Sequence, residues 1–211
     1  MADTAPFETH AARYDRWFET HPEAHRSAMA ALSRLVPEDS FGLAVGVGSG
    51  RFAGPLNIDV GLDPAGAMLD RALDRGVTPI RGVAEALPVR PARFDVVLAV
   101  TTVCFVDDLA ATLHEARRVL RPGAALVIGY VDADSPLGQR YQETEGRSPF
   151  YREATFLSTP APEEAIEEAG FQEVEFVQTL FSSPSAMEEA DPVRDGHGDG
   201  SFVGLRAVVP G

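Results

Sequence analysis

The sequence has no lysine, a single cysteine and no apolar run long enough to cross a membrane. All 18 basic side chains are arginines, so a lysine Schiff base and a P-loop lysine are both excluded. Cys104 alone cannot form an intramolecular disulfide or a cysteine-rich metal site. A bilayer-spanning helix needs about 20 successive apolar residues. No charged and apolar leader opens the chain at Met1, so we expect a cytoplasmic protein. Because the chain has a single cysteine and no spanning run, we expect neither a metal site nor a membrane partner.

Basic residues are also few relative to acidic ones. The chain has 18 basic and 32 acidic side chains, a formal net charge of −14. Such a surface repels polyanions, so a nucleic-acid partner is not expected. The 211 residues are 45% apolar, which is enough for one core. Since no linker composition divides the chain, we expect a single domain over residues 1–211; the sequence carries no signal of its oligomeric state.

Short apolar runs alternate with stretches of helical periodicity after residue 40. The predicted strands cover residues 41–45, 57–62, 78–80, 95–100, 124–130, 173–181 and 201–209. This alternation predicts an α/β fold with a doubly wound, mostly parallel sheet. The last two strands suit antiparallel pairing at its edge. Two helices are expected within residues 7–36 and a last helix within 162–170.

A glycine-rich loop follows the first predicted strand. Gly46, Gly48 and Gly50 let the backbone approach a ligand closely at the carboxyl end of a strand. The dinucleotide fingerprint requires its third glycine where Arg51 stands, which disfavours NAD, FAD and a nicotinamide oxidoreductase. The spacing favours a nucleoside without a pyrophosphate, and a short helix is expected after the loop. A plain strand-to-helix connection is the alternative.

Asp63 ends the second predicted strand and is followed by Pro64. A carboxylate at this place can accept two hydrogen bonds from the vicinal hydroxyls of a ribose. It could also cap the helix that begins near Pro64, because aspartate is a favoured N-cap. Both roles stay open at this point.

Five segments in this order resemble the class I S-adenosylmethionine-dependent methyltransferases, particularly the small bacterial ones related to the ubiquinone and menaquinone methyltransferase-like (type 11) group. They are residues 45–50, 61–69, 82–88, 94–100 and 115–123. The resemblance covers about residues 10 to 180. It implies S-adenosylmethionine as cofactor and a Rossmann-like sheet of seven strands with an antiparallel last strand. The cofactor would lie across the carboxyl ends of the first, second and fourth strands.

The resemblance also implies a role for individual positions. The glycines would run beneath the methionine and ribose moieties, and Asp63, beside Pro64, would hold the ribose hydroxyls. The adenine would be bordered by Ala84, through its backbone amide, and by Leu87. The cofactor-binding set is then Tyr14, Gly46, Gly48, Gly50, Asp63, Pro64, Ala84, Leu87 and Thr101, with Thr102 beside Thr101 on the floor of the site.

Residues 1–36 correspond to an N-terminal helical lid in these relatives, and Tyr14 and Phe18 are its candidates for covering the site. Packing of a helix onto the sheet is the alternative role of both rings.

Two positions depart from the family pattern. Ala44 and Val83 stand where the family usually has acidic residues that hydrogen-bond the amino groups of the cofactor. Each such contact contributes about 1.5 to 3 kcal/mol at most. The leading hypothesis is a methyltransferase that acts on a small-molecule acceptor by in-line transfer. A methyltransferase-like protein that binds the cofactor without turnover is the alternative.

A general base is needed only when the acceptor must lose a proton. The candidates are Asp132, Asp134, His10, His21, His25 and His197, and none is singled out by a motif. Cys104 lies in an apolar stretch and is expected to be a buried structural thiol. The acidic run Glu163, Glu164, Glu167 and Glu168 is expected to be a solvated helix face.

Residues 135–158 should line the acceptor pocket. Aromatic and aliphatic side chains in this segment suggest a small, partly apolar acceptor, although they could equally be core residues of one or two helices. They are Leu137, Tyr141, Phe150, Tyr151 and Phe156.

Overall fold

The computed structural model of the chain describes residues 4–143, 150 and 154–211. Its α-helices are α1 (Ala5–Thr9), α2 (Ala11–Thr20), α3 (Pro22–Leu35), α4 (Gly66–Asp74), α5 (Leu109–Val119), α6 (Pro136–Glu143) and α7 (Pro160–Glu168). Its strands are β1 (Gly42–Val45), β2 (Val60–Asp63), β3 (Thr78–Arg81), β4 (Phe94–Val100), β5 (Leu120–Val131), β6 (Gln172–Thr179), β7 (Arg194–Asp195) and β8 (Phe202–Val208).

The strands form one sheet in the order β3-β2-β1-β4-β5-β8-β6-β7. Strands β1 to β5 pair in parallel, and β8 runs antiparallel to both β5 and β6. The predicted α/β fold, with its mostly parallel sheet and antiparallel last strand, is therefore confirmed.

The strand count differs from the seven expected. The described residues form an 8-stranded sheet because Arg194–Asp195 pairs with the outer edge of β6. The register joins Val177 with Asp195 and Gln178 with Arg194. Both residues of β7 are charged and exposed, so no apolar alternation marks this strand in the sequence.

Side chains alternate between the two faces of the central strands and build one apolar layer on each face. In β1, Leu43 and Val45 face the layer that includes α5 and α7, whereas Ala44 faces the layer that includes α3. Burial on both faces explains why these strands read as continuous apolar runs. It also leaves the carboxyl ends of β1, β2 and β4 at one edge, where such sheets bind ligands.

Two local expectations were wrong. Residues 51–57, all of them described, form successive turns instead of a helix. Gly54 precedes Pro55, and proline both lacks an amide hydrogen and disfavours helical backbone before it. The N-terminal region forms three helices instead of two, because the backbone at His10 (φ −118°, ψ 23°) separates α1 from α2.

None of the helices in the described part of the chain is both long and apolar enough to cross a membrane.

Candidate active site

A cavity of about 930 Å³ lies at the carboxyl ends of the parallel strands. Most of the predicted cofactor residues line it: Tyr14, Gly46, Gly48, Asp63, Pro64, Ala84 and Thr101. Gly50 and Leu87 lie behind its wall. An ideal Cβ on Gly50 would meet Cα of Ala72 in α4 at 3.0 Å, and Leu87 is buried in the core. The structure thus brings seven of the nine predicted residues to one cavity.

The glycine loop forms the floor of this cavity through its backbone. Gly46 and Gly48 adopt φ values of +64° and +53°, a region that L side chains rarely adopt. A Cβ on Gly46 would lie 2.4 Å from the side chain of Thr102. The Thr102 hydroxyl donates a hydrogen bond of 3.0 Å to the carbonyl oxygen of Val45. The loop therefore offers bare backbone to a ligand at Gly48 and a close threonine contact at Gly46.

Asp63 is held in one orientation at the wall of the cavity. Its Oδ2 accepts a hydrogen bond from the amide of Gly48, and its Oδ1 accepts one from the amide of Ala65, both at 2.9 Å. Burial raises the pKa of this carboxyl, and the two amide bonds oppose that rise. Each oxygen keeps acceptor capacity for a further donor. The carboxylate is thus presented as a pair of acceptors beside the glycine loop.

The cap of α4 is supplied by Glu8 instead of Asp63. Glu8 accepts hydrogen bonds from the amides of Gly66 and Ala67, at 2.7 and 2.9 Å, at the first turn of α4. These two bonds are the main reason why the pKa of the Glu8 carboxyl is lowered. No local sequence pattern indicates this contact, which joins residues 58 positions apart. It attaches α1 to the helix that follows Asp63.

Asp15 attaches α2 to the glycine loop in the same way. Its buried carboxylate accepts hydrogen bonds from Ser49 (2.6 Å), Arg51 (3.0 Å), Arg71 (2.9 Å) and Arg75 (2.9 Å). Burial opposes ionisation, but these bonds outweigh it and lower the pKa of Asp15 to about 2. Sequence reasoning passed over Asp15 although it follows Tyr14 directly. Its partners lie 34 to 60 positions away, so no local pattern reveals them.

Tyr14 and Thr101 meet at the centre of the cavity wall. Their side chains share a hydrogen bond, while burial and the neighbouring Asp63 raise the pKa of the Tyr14 hydroxyl. Thr101 adopts φ +52°, a costly conformation for a β-branched residue. Its amide donates a 2.7 Å hydrogen bond to the carbonyl oxygen of Gly129. Thr101 thus stands directly after β4, where its backbone is bonded to β5 and its side chain lines the cavity.

The loop after β3 brings Val83 and Ala84 to the cavity. Glu115 accepts a 2.7 Å hydrogen bond from the amide of Leu87, and Arg118 donates one of 3.0 Å to the Leu87 carbonyl. Glu115 and Arg118 thus fix this loop from α5. Both lie in the fifth resembling segment, but their structural role was not foreseen.

Ala44 does not line the cavity. It packs in the α3 layer and borders a separate void of about 20 Å³ beneath the glycine loop. Arg51 and Phe52 border the same void.

Aromatic and apolar side chains form much of the remaining cavity lining. Among the residues predicted for the acceptor pocket, Leu137, Tyr141, Phe150 and Phe156 line the cavity. Tyr151 lies outside the described residues. Trp17 and Phe18 from α2 contribute further rings.

The six candidate bases separate clearly in the structure. His25 lines the cavity. The other five lie elsewhere. His21 stacks on Trp17 and His197 packs against Phe176. Asp134 is exposed. Asp132 is buried and accepts a hydrogen bond from the Thr159 hydroxyl. The centroid of the His10 ring lies 6.4 Å from that of Phe150.

Cys104 was expected to be a buried structural thiol. It is half-buried and lines the cavity, with its thiol donating to the carbonyl oxygen of Thr101. Burial raises the pKa of the thiol to about 12. The side chain is therefore a neutral thiol, not a nucleophile.

Comparison with known proteins identifies the family. The family model described as a methyltransferase domain matches residues 43–128. A crystal structure from Thermotoga maritima, described as a SAM-dependent methyltransferase and possible histamine N-methyltransferase, is 43% identical. The match covers 98% of this chain and 99% of that one, with a TM-score of 0.95.

Two further proteins extend the comparison. An uncharacterized protein from Methanocaldococcus jannaschii is 37% identical over 201 residues, which is 95% of this chain and 97% of the relative. A phosphoethanolamine N-methyltransferase from Haemonchus contortus, solved with S-adenosyl-L-methionine, is 18% identical with a TM-score of 0.62. That match covers 88% of this chain and 53% of the other, and it shows the shared fold alone. By sequence and fold together, this chain belongs to the class I S-adenosylmethionine-dependent methyltransferases.

Proposed function

We propose that this protein transfers the methyl group of S-adenosylmethionine to a small-molecule acceptor by in-line displacement. The observation that carries the proposal is the orientation of Asp63. Both carboxylate oxygens are held by backbone amides at the cavity wall, and both can still accept hydrogen bonds from vicinal hydroxyls. When bound, the cofactor supplies a methyl group already activated by a positively charged sulfur.

The residues around the cavity fit such a ligand. Gly46 and Gly48 provide backbone without side chains next to Asp63. Pro64, Val83 and Ala84 provide an apolar wall beyond it, suited to a flat base. We assign the ribose to Asp63, the base to the loop after β3, and the methionine moiety to the region of Gly46, Thr101 and Thr102. Gly50 and Leu87 would act from behind the wall, by shaping the loops.

The N-terminal helices would serve as the lid. Glu8 and Asp15 attach α1 and α2 to the two segments that flank Asp63. Tyr14 lies above Gly48, with its hydroxyl 3.7 Å from an ideal Cβ there. A lid held in this place excludes water and orients the reactants, which is most of what methyl transfer requires of a protein.

The size and the mostly apolar lining of the cavity, about 930 Å³, are typical of sites for small molecules and favour a small acceptor over a macromolecule. A cytoplasmic location remains a prediction from the sequence. Cofactor binding without turnover is the second candidate. The absence of a carboxylate at Val83, which lines the cavity, favours it, because one expected hydrogen bond to the cofactor is lost; Ala44 lies outside the cavity lining and does not bear on the choice.

Calorimetric titration with S-adenosylmethionine and S-adenosylhomocysteine tests the proposal, with NAD as the comparison ligand. We expect both sulfur nucleosides to bind and NAD not to bind. Asp63→Ala should weaken binding at least about tenfold. The matched control is Asp70→Ala, which removes an exposed carboxylate from α4 and should leave the affinity unchanged. Equal affinities of a folded Asp63→Ala protein and the wild type would remove Asp63 from this role.

Transfer distinguishes the two candidates once an acceptor is screened. S-adenosylmethionine with a labelled methyl group gives a labelled product only if the protein turns over. Binding without label transfer, across a broad acceptor set, would favour the second candidate.

A further inference from the structure

The cavity is chemically divided along the sheet. Among the described residues, three with a carboxylate line it: Asp63, Glu85 and Asp107. Asp63 ends β2 and Glu85 follows β3, and Glu85 accepts a 2.9 Å hydrogen bond from the amide of Asp107. This places Asp63 and Glu85, together with the backbone of Asp107, on the β2 and β3 side of the glycine loop. The sheet order puts β2 three strands from β5, a separation of about 14 Å at the usual strand spacing.

The β5 side has a different lining. Val131 at the end of β5 and Leu137 and Tyr141 in α6 form one part of it. Phe156, Leu180 just after β6 and Phe202 at the start of β8 form the rest. Among the described residues that line this side, none is a carboxylate. We call this part of the cavity the aromatic compartment.

His25 extends from α3 into the cavity between two aromatic rings. The centroid of its ring lies 5.1 Å from those of Phe18 and Phe52. Its Nε2 lies 3.2 Å from the carbonyl oxygen of Arg51. A carbonyl oxygen only accepts, so Nε2 carries the hydrogen and the neutral ring has its lone pair on Nδ1. In the described part of the chain, no hydrogen bond to Nδ1 is formed.

We propose that the aromatic compartment binds an uncharged, largely apolar acceptor with a weakly acidic hydroxyl, and that His25 takes the proton of this hydroxyl during methyl transfer. This inference rests on the proposed function and names its substrate class. The acceptor oxygen forms a bond to the methyl carbon while the carbon–sulfur bond breaks and its electron pair stays on sulfur. The hydroxyl proton moves to Nδ1 of His25 and later to water.

The charge of the compartment is the reason for preferring a hydroxyl to an aliphatic amine. An amine would enter as an ammonium ion. Burying it among the described lining residues of this compartment, none of which is a carboxylate, costs several kcal/mol. Contact with aromatic faces returns about 2 kcal/mol. An uncharged hydroxyl carries no such cost, and its proton needs an acceptor once the oxygen is methylated.

The charges around His25 keep its ring neutral. Burial and the nearby Arg51 guanidinium lower the pKa of His25, and the hydrogen bond to the Arg51 carbonyl partly opposes them. Arg51 is itself paired with Asp15 and Glu19, so its charge is largely balanced within the cluster. A neutral imidazole with a free Nδ1 is the form that can accept a proton.

The first test compares two probes of similar size on the protein loaded with S-adenosylhomocysteine. Calorimetry measures the binding of 4-methylphenol and of benzylammonium. We expect the phenol to bind at least about tenfold more tightly. Tighter binding of the ammonium probe, or no binding of either probe, would overturn the inference. Failure of S-adenosylhomocysteine itself to bind would instead contradict the proposed function.

The second test uses 4-nitrophenol, whose anion absorbs visible light, to locate the proton. On the loaded wild-type protein, the bound dye should ionise with an apparent pKa at least about one unit below that on His25→Gln. His114→Gln, a control on the exposed face of α5, should match the wild type. Equal dye pKa values on wild type and His25→Gln would overturn the assignment. So would a His25→Gln protein that loses affinity for S-adenosylhomocysteine alone, because His25 would then serve the cofactor.

Discussion

Replacing Asp15 with asparagine should destabilise the protein by about 3 kcal/mol, because the change leaves three guanidinium groups without their shared carboxylate. Removing one partner of a buried ion pair costs about 3 to 5 kcal/mol. The low end applies here, since the Arg51, Arg71 and Arg75 side chains are 22, 35 and 27% exposed and can regain water.

Thermal unfolding measures this effect directly. For a chain of this length, each kcal/mol shifts the midpoint by about 2 to 4 °C, so Asp15→Asn should unfold about 6 to 12 °C below the wild type. Glu19→Gln is the matched control. It removes another carboxylate from Arg51, but one that is 63% exposed, and exposed pairs contribute at most about 1 kcal/mol.

The comparison between these two variants decides the argument. Asp15→Asn and Glu19→Gln should differ clearly in unfolding midpoint. If they unfold at the same temperature, the Asp15 cluster is no more than a surface ion pair, and the attachment of α2 to the glycine loop must be sought elsewhere.

Three further predictions concern acid, the glycine loop and Ala44. The pKa of Asp15 falls from 3.8 to about 2 on folding, so the pH-dependent part of its stabilisation, about 2 kcal/mol, is complete above about pH 4 and lost as the pH falls toward 2; the stability difference to Asp15→Asn should narrow by about 2 kcal/mol over this range in acid titrations. Gly46→Ala should abolish measurable S-adenosylhomocysteine binding in calorimetry, because its Cβ would lie 2.4 Å from Thr102; retained affinity would contradict the close approach. Ala44→Glu should lower the unfolding midpoint without tightening cofactor binding, since Ala44 is buried in the α3 layer and a glutamate there would overpack this layer and bury a charge; tighter binding would show that the loop adapts.

The sheet was predictable from sequence because burial on both faces leaves a strong local signal. The predicted strand 95–100 and the observed Phe94–Val100 differ by one residue, since every position of β4 is apolar except Asp95. The glycine loop was equally visible. Gly54 and Pro55 in the segment after the loop disfavour a helix there. We nevertheless expected a helix, because a helix usually follows a strand in α/β folds.

The contacts that attach the N-terminal helices were not predictable in this way. Glu8 and Asp15 act on residues far along the chain, and an acidic residue on an N-terminal helix is usually solvated. Likewise, six candidate bases could be named but not ranked. Only the fold shows that His25 alone among them lines the cavity.

Trp17 gives the molecule a built-in optical reporter. It is the sole tryptophan of the chain, and it lies on the wall of the cavity with its ring stacked on His21 at 4.8 Å. Indole emission responds to the polarity around the ring, so displacement of water from the cavity should shift its wavelength. Because no second tryptophan contributes background, ligand entry can be followed in the unlabelled protein. The same emission would also report displacement of α2 from the cavity wall.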